Sequence, residues 1–503
     1  MKILLVRPPV PKHTIGLKHI MICEPLELEY IAAALPPQYE VQIFDHLVET
    51  GFEQRLRQFS PDAVVSSCYK TGTNEVIKLF RQVKKWQPQC LTIIGGVHAT
   101  LVPQDFADAA TDIIGIGDGT FLLSEILESI EKGRSIYDIP GVAIPVGEGK
   151  IELTNKRAYM PKADTLPLPR RDLVAHLQHK YYYLMHQPVA TMKTTWGCWY
   201  RCNFCFTWKI TDGMPYSRSP ESIVAELESI EAEDVYIVDD IFLINKSRLR
   251  KLADLLKVKN IKKKYLVYAR ADFIAENEEI IAEWAELGLS AVFIGLEATT
   301  DDELNSMNKE LPASDNYKAV EILRKYKIDT YGSLIPSPDY EREDWERLWQ
   351  FIEKTGLYYV NISPHTPLPG AEIWDDYKDK ITVPEDAHGL FDLSHIILPT
   401  KMPLKDYYRE LLRLYSRSIL SLSRAKNVTQ RTLPSIWSWK YARILVGSMK
   451  IGWQFWSAHR HHSPKEIAIA RYKGEPVAGL TFETKWAHPC FQKHQKQSES
   501  TIK

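Results

Sequence analysis

Neither sign of charge dominates this sequence. Its 63 Lys and Arg residues meet 64 Asp and Glu, for a formal net charge of −1. Nucleic-acid binding usually leaves a basic footprint, so the balance argues against that partner. Long apolar runs are also missing: no uninterrupted stretch could span a bilayer. The start, MKILLVRPPVP, offers four apolar residues before Arg7 and two prolines, which does not fit a secretory signal. The expected location is the cytoplasm. Cysteine is sparse and irregular, with seven residues, an odd number, of which Cys23, Cys68, Cys90 and Cys490 are scattered. That excludes the regular framework of a secreted disulfide protein. No Gly-x-Gly-x-x-Gly follows the first apolar run, KILLV, which argues against a dinucleotide fold.

What is present is a strand–helix alternation. KILLV, EVQIFD, DAVVSS, LTIIGG and DIIGIG read as strands in residues 1–135. PLELEYIAAAL, NEVIKLFRQVKKW and TFLLSEILESIEKG read as helices between and after them. This spacing predicts an α/β domain with a doubly wound parallel sheet, whose ligand would sit beyond the strand C-terminal ends. Residues 136–186 read as a connector with a weak hairpin in GVAIPVGEGKIEL and a proline-rich stretch, TLPLPRRDL. From 187 to 375 about six strand–helix units follow, which predicts a partial (β/α)6 barrel. Residues 376–503 read as a mainly helical extension, helical around 404–426 and then rich in Trp, Arg, Lys and His. Its segment RILVGSMKIGWQFWSAHRHH (443–462) fits two readings: a helix packed on the barrel, or a surface that meets a membrane or an apolar substrate.

Three of the cysteines fall within eight positions, in TTWGCWYRCNFCFTWK (194–209): Cys198, Cys202 and Cys205. A structural zinc site wants four protein ligands, and a cubane iron–sulfur cluster usually takes four cysteines. Three thiolates on one loop leave a metal position open, where chemistry happens. Zinc or a chance cluster is the bland alternative. The Cys-x3-Cys-x2-Cys spacing at the first strand end of a β/α barrel resembles the signature of the radical S-adenosylmethionine (SAM) enzymes. The resemblance implies a [4Fe-4S] cluster on Cys198, Cys202 and Cys205. Its fourth iron would bind the amino and carboxylate groups of SAM, and a 5′-deoxyadenosyl radical would form on reduction. It also implies SAM contacts from Phe204 on the loop and from Glu297 in FIGLEA, which resembles the family's Gly-x-Glu motif. Arg270 and Ser333 at further strand ends, and Asp239 in VDD, complete the SAM candidates. The plain alternatives are a helix cap for Glu297 and a salt bridge in the barrel mouth for Arg270.

The front domain resembles the cobalamin-binding domain of one subfamily of these enzymes, class B. Ser67 and Thr71 in DAVVSSCYKT resemble its Ser-x-x-x-Thr, which meets the buried nucleotide tail. Gly95 and Gly96 in IIGGVHAT, and Gly117 in GIGDGT, resemble the small residues that let the tail lie against backbone. His98 is expected beside the corrin, with a structural role as the alternative. In PKHTIG, His13 fits the position of a lower cobalt ligand, but Pro11 replaces the aspartate that would orient it. Cofactors implied are the cluster, SAM and cobalamin, with a small-molecule substrate and an external low-potential electron donor. The implied reaction is methyl transfer to an unactivated carbon, of a bulky apolar metabolite or lipid. The alternatives are a cobalamin-assisted cyclisation, oxidation or rearrangement without methyl transfer, and a cobalamin/Fe–S sensor. No catalytic residue beyond the cluster and SAM is readable.

Overall fold

A computed structural model describes residues 1–157, 163–357, 359–419 and 439–485. The front sheet has seven strands. β1 (Lys2–Arg7), β2 (Glu40–Asp45), β3 (Ala63–Ser67), β4 (Leu91–Gly95) and β5 (Ile113–Gly115) run parallel in the order β2-β1-β3-β4-β5. Ile3, Leu4, Leu5 and Val6 are all fully buried, because helices cover both faces of the sheet. Leu26–Ala34 and Gly119–Glu131 pack on one face, Phe52–Phe59 and Thr73–Trp86 on the other. The chain leaves β1 for β2 on one side and then crosses to β3 on the other. That reversal opens a crevice at the strand ends, where ligands of such sheets bind. The hairpin expected in the connector forms as β6 (Val142–Gly147) and β7 (Lys150–Leu153). It extends the front sheet at β5 by antiparallel pairing.

The second sheet has six parallel strands in chain order. They are β8 (Val189–Met192), β9 (Asp234–Ile237), β10 (Lys264–Arg270), β11 (Leu289–Glu297), β12 (Asp329–Leu334) and β13 (Tyr359–Ile362). Among the described residues β8 and β13 do not pair, so the sheet is an open, partial barrel. Side chains alternate across it with period 2. Val235, Ile237, Val267, Val292 and Ile294 pack outward on the helices, while Tyr236, Tyr268, Phe293, Tyr331 and Tyr359 share the inner face.

The C-terminal extension is helical where it is described, and residues 420–426 of the expected helix lie outside the described residues. Helix Leu404–Ile419 covers the edge strand β13. The Tyr415 hydroxyl accepts from the Ile362 N–H at 2.8 Å and donates to the Ile362 carbonyl at 3.1 Å. An edge strand with open backbone groups invites foreign pairing, and this contact blunts it. Helix Trp439–Ser457 packs on that helix through Phe455, whose ring lies 5.2 Å from that of Tyr415.

Candidate functional site

The cysteine loop is built from its anchors. Before it, Thr195–Trp196 pairs antiparallel with Tyr216–Ser217. The buried Asp239 carboxylate accepts from the N–H groups of Thr194 and Thr195, at 2.5 and 2.9 Å. Asp240 accepts from the Gly197 N–H at 2.7 Å. Gly197 has φ +80°, and a Cβ there would fall 2.4 Å from Thr211 Oγ1, so only glycine turns this corner. On the far side Asn203 donates to Ser306 O and Asn308 donates to Arg201 O, each at 2.7 Å. Asp239, expected near SAM, clamps the start of the loop: a buried carboxylate must find donors, and two adjacent backbone N–H groups supply them.

Cys198, Cys202 and Cys205 are free of disulfides. Burial and the two neighbouring sulfurs push the Cys198 thiol up to about 11; burial also raises Cys202 and Cys205. A proton held that firmly gives way to a metal of high charge density, since thiolate is the ligand form. Three thiols within eight residues of one loop fit a [4Fe-4S] cluster with one iron left open.

Around Cys202 stands a group of charged side chains. Arg270 Nη1 lies 3.6 Å from Cys202 Sγ. Its guanidinium stacks 3.7 Å over the Tyr200 ring, pairs with Asp272 at 2.9 Å and donates to Lys309 O at 2.5 Å. Lys309 Nζ lies 2.9 Å from Glu297 Oε1, and both are buried. Gly295 makes room for that pair, since a Cβ there would sit 2.3 Å from Glu297 Oε1. Glu297 itself takes φ +60°, unusual for a residue with a side chain. Ser333 lies in register with Gly295 and, two residues on from Tyr331, shares the inner face. Phe204 packs at the edge of the barrel core. Arg270, Glu297 and Cys202 are therefore brought together. Lys309 was not read from the sequence; its segment, SMNKEL, carries no motif, and only the fold brings it to Glu297.

Facing this loop is a cavity of about 330 Å³. Ser66, Ser67, Gly95, Gly96, Gly117, Asp118 and Thr100 of the front sheet line it, with Trp196, Ile210, Lys193 and Val238 of the barrel. Gly117 has φ +89° and nothing within 4 Å of where a Cβ would project. Gly117 N–H donates to Thr100 Oγ1 at 2.9 Å, which itself donates to Gly96 O at 2.9 Å. This small-residue cradle fits an elongated ligand tail, as a cobalamin nucleotide requires. Gly96 is its tightest point: φ is +96°, and a Cβ would fall 2.5 Å from Ser67 Oγ. Gly96→Ala is expected to weaken cobalamin binding at least about tenfold, the scale of a small steric misfit. Spectral titration of the protein with hydroxocobalamin checks it.

Three cobalamin candidates lie elsewhere. Thr71 does not line the cavity. His98 is buried away from it, with Nε2 2.7 Å from Asp105 Oδ2. Burial beside that carboxylate fixes the ring, and Lys70 and His388 close the same cluster. His13 packs on the tail instead, 3.0 Å from Glu466 and 4.8 Å from the His461 ring.

Comparison with known proteins gives the same two parts. The family model described as the Radical SAM superfamily matches residues 192–385, and that of the B12 binding domain matches residues 13–127. The hopanoid C-3 methylase of Methylococcus capsulatus is 30% identical over 420 residues, 82% of this chain and 79% of that one. Among solved structures, the radical SAM methyltransferase TsrM from Kitasatospora setae superposes with a TM-score of 0.65 at 15% identity, over 94% of this chain and 99% of that one. The cobalamin-dependent radical SAM enzyme OxsB gives 0.67 at 13% identity, over 100% of this chain and 80% of that one. At such identities the two structures speak for the fold alone.

Proposed function

The chain belongs to the cobalamin-dependent radical SAM enzymes, and from that premise we propose that it methylates an unactivated carbon of a bulky, apolar acceptor. Its cofactors are a [4Fe-4S] cluster, SAM and cobalamin. The observation that carries the proposal is a cavity lined both by the glycine strand ends and by Trp196 and Ile210, which flank the cysteine loop. When bound, the cofactors supply one-electron cleavage of one SAM, hydrogen removal from the acceptor as 5′-deoxyadenosine, and a methyl group drawn from a second SAM. The residues supply the rest. Cys198, Cys202 and Cys205 hold the cluster on a loop fixed by Asp239 and Asp240. Glu297, oriented by Lys309, offers an acceptor for an ammonium group of SAM. Ser67, Gly95, Gly96 and Gly117 take the cobalamin tail. Tyr236, Tyr268, Phe293, Tyr331 and Tyr359 form an aromatic inner layer of the barrel, which keeps water from a radical step and suits a flat or polycyclic apolar skeleton.

The relative named hopanoid C-3 methylase, a name that states a hopanoid methylated at a ring-numbered carbon position, C-3, supports a carbon acceptor of this kind. Peripheral contact with a membrane through the C-terminal extension belongs to this reading. The test is an acceptor panel assayed by mass spectrometry with the reconstituted enzyme. Polycyclic isoprenoids and other apolar skeletons are expected to gain the mass of one CH2. Methylation confined to small, highly charged acceptors would overturn the apolar assignment.

A further inference from the structure

Among the described residues, helix Trp439–Ser457 is clamped along one side and bare along the other. On the inner side, Arg443 stacks 3.6 Å over Tyr182 and donates to Leu184 O at 2.8 Å. Gly447 lies so close to the turn Leu17–His19 that a Cβ would fall 2.3 Å from His19 O. Phe455 is buried against the neighbouring helix, and Ile444 joins the aromatic cluster of the barrel interior. These contacts fix which side faces out. That side carries Leu445, Val446, Met449, Trp453 and Trp456, all exposed; Met449 and Trp453 are 67% and 68% exposed. The two indole rings lie 5.0 Å apart. A contiguous apolar strip of this kind, held outward by a rigid inner face, marks an interaction surface.

Charge says what covers it. From 439 to 462 the sequence holds Lys440, Arg443, Lys450 and Arg460, and no Asp or Glu. Lys450 and Arg460 are exposed beside the strip, and Arg460 stacks 5.0 Å over Trp456. Lys18, also exposed, and Lys450 both bear on His19 from the adjoining turn. No helix among the described residues is long and apolar enough to cross a membrane. We infer that this face lies flat on an anionic lipid bilayer, with the two tryptophans at headgroup level and the rim bases on lipid phosphates. A second copy of the chain would bring the same basic rim against itself, which like charges oppose. The purpose of the contact, delivery of an apolar acceptor from the bilayer, rests on the reading above. The contact itself rests on the helix.

The experiment is vesicle sedimentation of the reconstituted full chain. The vesicles are phosphatidylcholine alone, or phosphatidylcholine with about a quarter of phosphatidylglycerol. Binding is expected on the mixed vesicles and about tenfold weaker on phosphatidylcholine alone or in high salt. The triple variant Met449→Ser, Trp453→Ser, Trp456→Ser is expected to bind the mixed vesicles at least about tenfold more weakly. Its circular dichroism and its cleavage of SAM are expected to match the unmodified protein, which separates a failed membrane contact from a failed enzyme. Lys450→Glu is a second, milder variant that should lower the preference for anionic lipid while keeping the apolar strip. Absence of binding to either vesicle would overturn the inference, as would equal binding by the triple variant. So would a dimer that dissociates in the triple variant, which would assign the strip to a second copy.

Discussion

Cys202→Ala is expected to lose the cluster and every product of SAM cleavage with it. Only three thiols are available on the loop, and removal of one leaves two ligands for four irons. Cys202 is also the best enclosed of the three, 8% exposed, with Arg270 beside its sulfur. Iron and sulfide content after anaerobic reconstitution should fall to background, and 5′-deoxyadenosine should fall below detection. Cys90→Ala is the matched control. Cys90 is 2% exposed in the core of the front domain, far from the loop in sequence and packing. It should cost stability of about 1 kcal/mol or more and leave iron content unchanged. Equal iron in Cys202→Ala and the unmodified protein would contradict the assignment.

Arg218→Met is expected to be the most destabilising single change away from the cofactors. Arg218 is 2% exposed and is paired with Glu226, which is fully buried. It also donates to Tyr30 Oη at 3.2 Å and to Ser222 Oγ at 2.9 Å. Arg171 reaches the other oxygen of Glu226 at 2.8 Å, and it donates to Thr191 O at 2.6 Å. Glu24, also fully buried, accepts from the Thr191 N–H at 2.6 Å and lies 3.4 Å from Arg171. The network thus ties the front domain, through Glu24 and Tyr30, to the connector at Arg171 and to the barrel at Thr191, Arg218 and Glu226. Without Arg218 the buried Glu226 carboxylate keeps only Arg171 and has one oxygen with no cationic partner, a loss on the scale of a broken buried pair, roughly 3–5 kcal/mol at most. Thermal denaturation should show this as an early transition, since the domains need not unfold together. The double change Arg218→Met, Glu226→Leu should recover part of the loss, because it removes the under-paired carboxylate while Arg171 keeps Glu24. A double variant no more stable than Arg218→Met would mean that packing, not charge, sets the cost.

The sequence was most readable where its pattern is local. Apolar runs bounded by glycine, such as LTIIGG and DIIGIG, became β4 and β5, and the six strand–helix units from 187 to 375 became the six parallel strands of the second sheet. The cysteine spacing and FIGLEA were legible for the same reason, since both are short and continuous. What the sequence hid depends on distant pairing. The hairpin at 142–153 reads the same whether it is free or bonded to β5. Lys309 reaches Glu297 only after the chain has turned through a helix, and Arg218 meets Tyr30 across 188 residues. His98 shows the limit of reading by neighbours: Gly95 and Gly96 line the cavity, while the turn into helix Val97–Leu101 carries its ring to Asp105.

The central claim is radical methyl transfer, and the products of SAM turnover test it most directly. The protein is reconstituted anaerobically with iron, sulfide and cobalamin. A low-potential reductant, SAM and an apolar acceptor are then added, and two products are quantified by mass spectrometry. Formation of both 5′-deoxyadenosine and S-adenosylhomocysteine is the predicted result, the second lost when cobalamin is withheld. Deoxyadenosine without S-adenosylhomocysteine would contradict methyl transfer and point to a non-methylating cobalamin enzyme. Neither product, with a full cluster in place, would contradict the account as a whole.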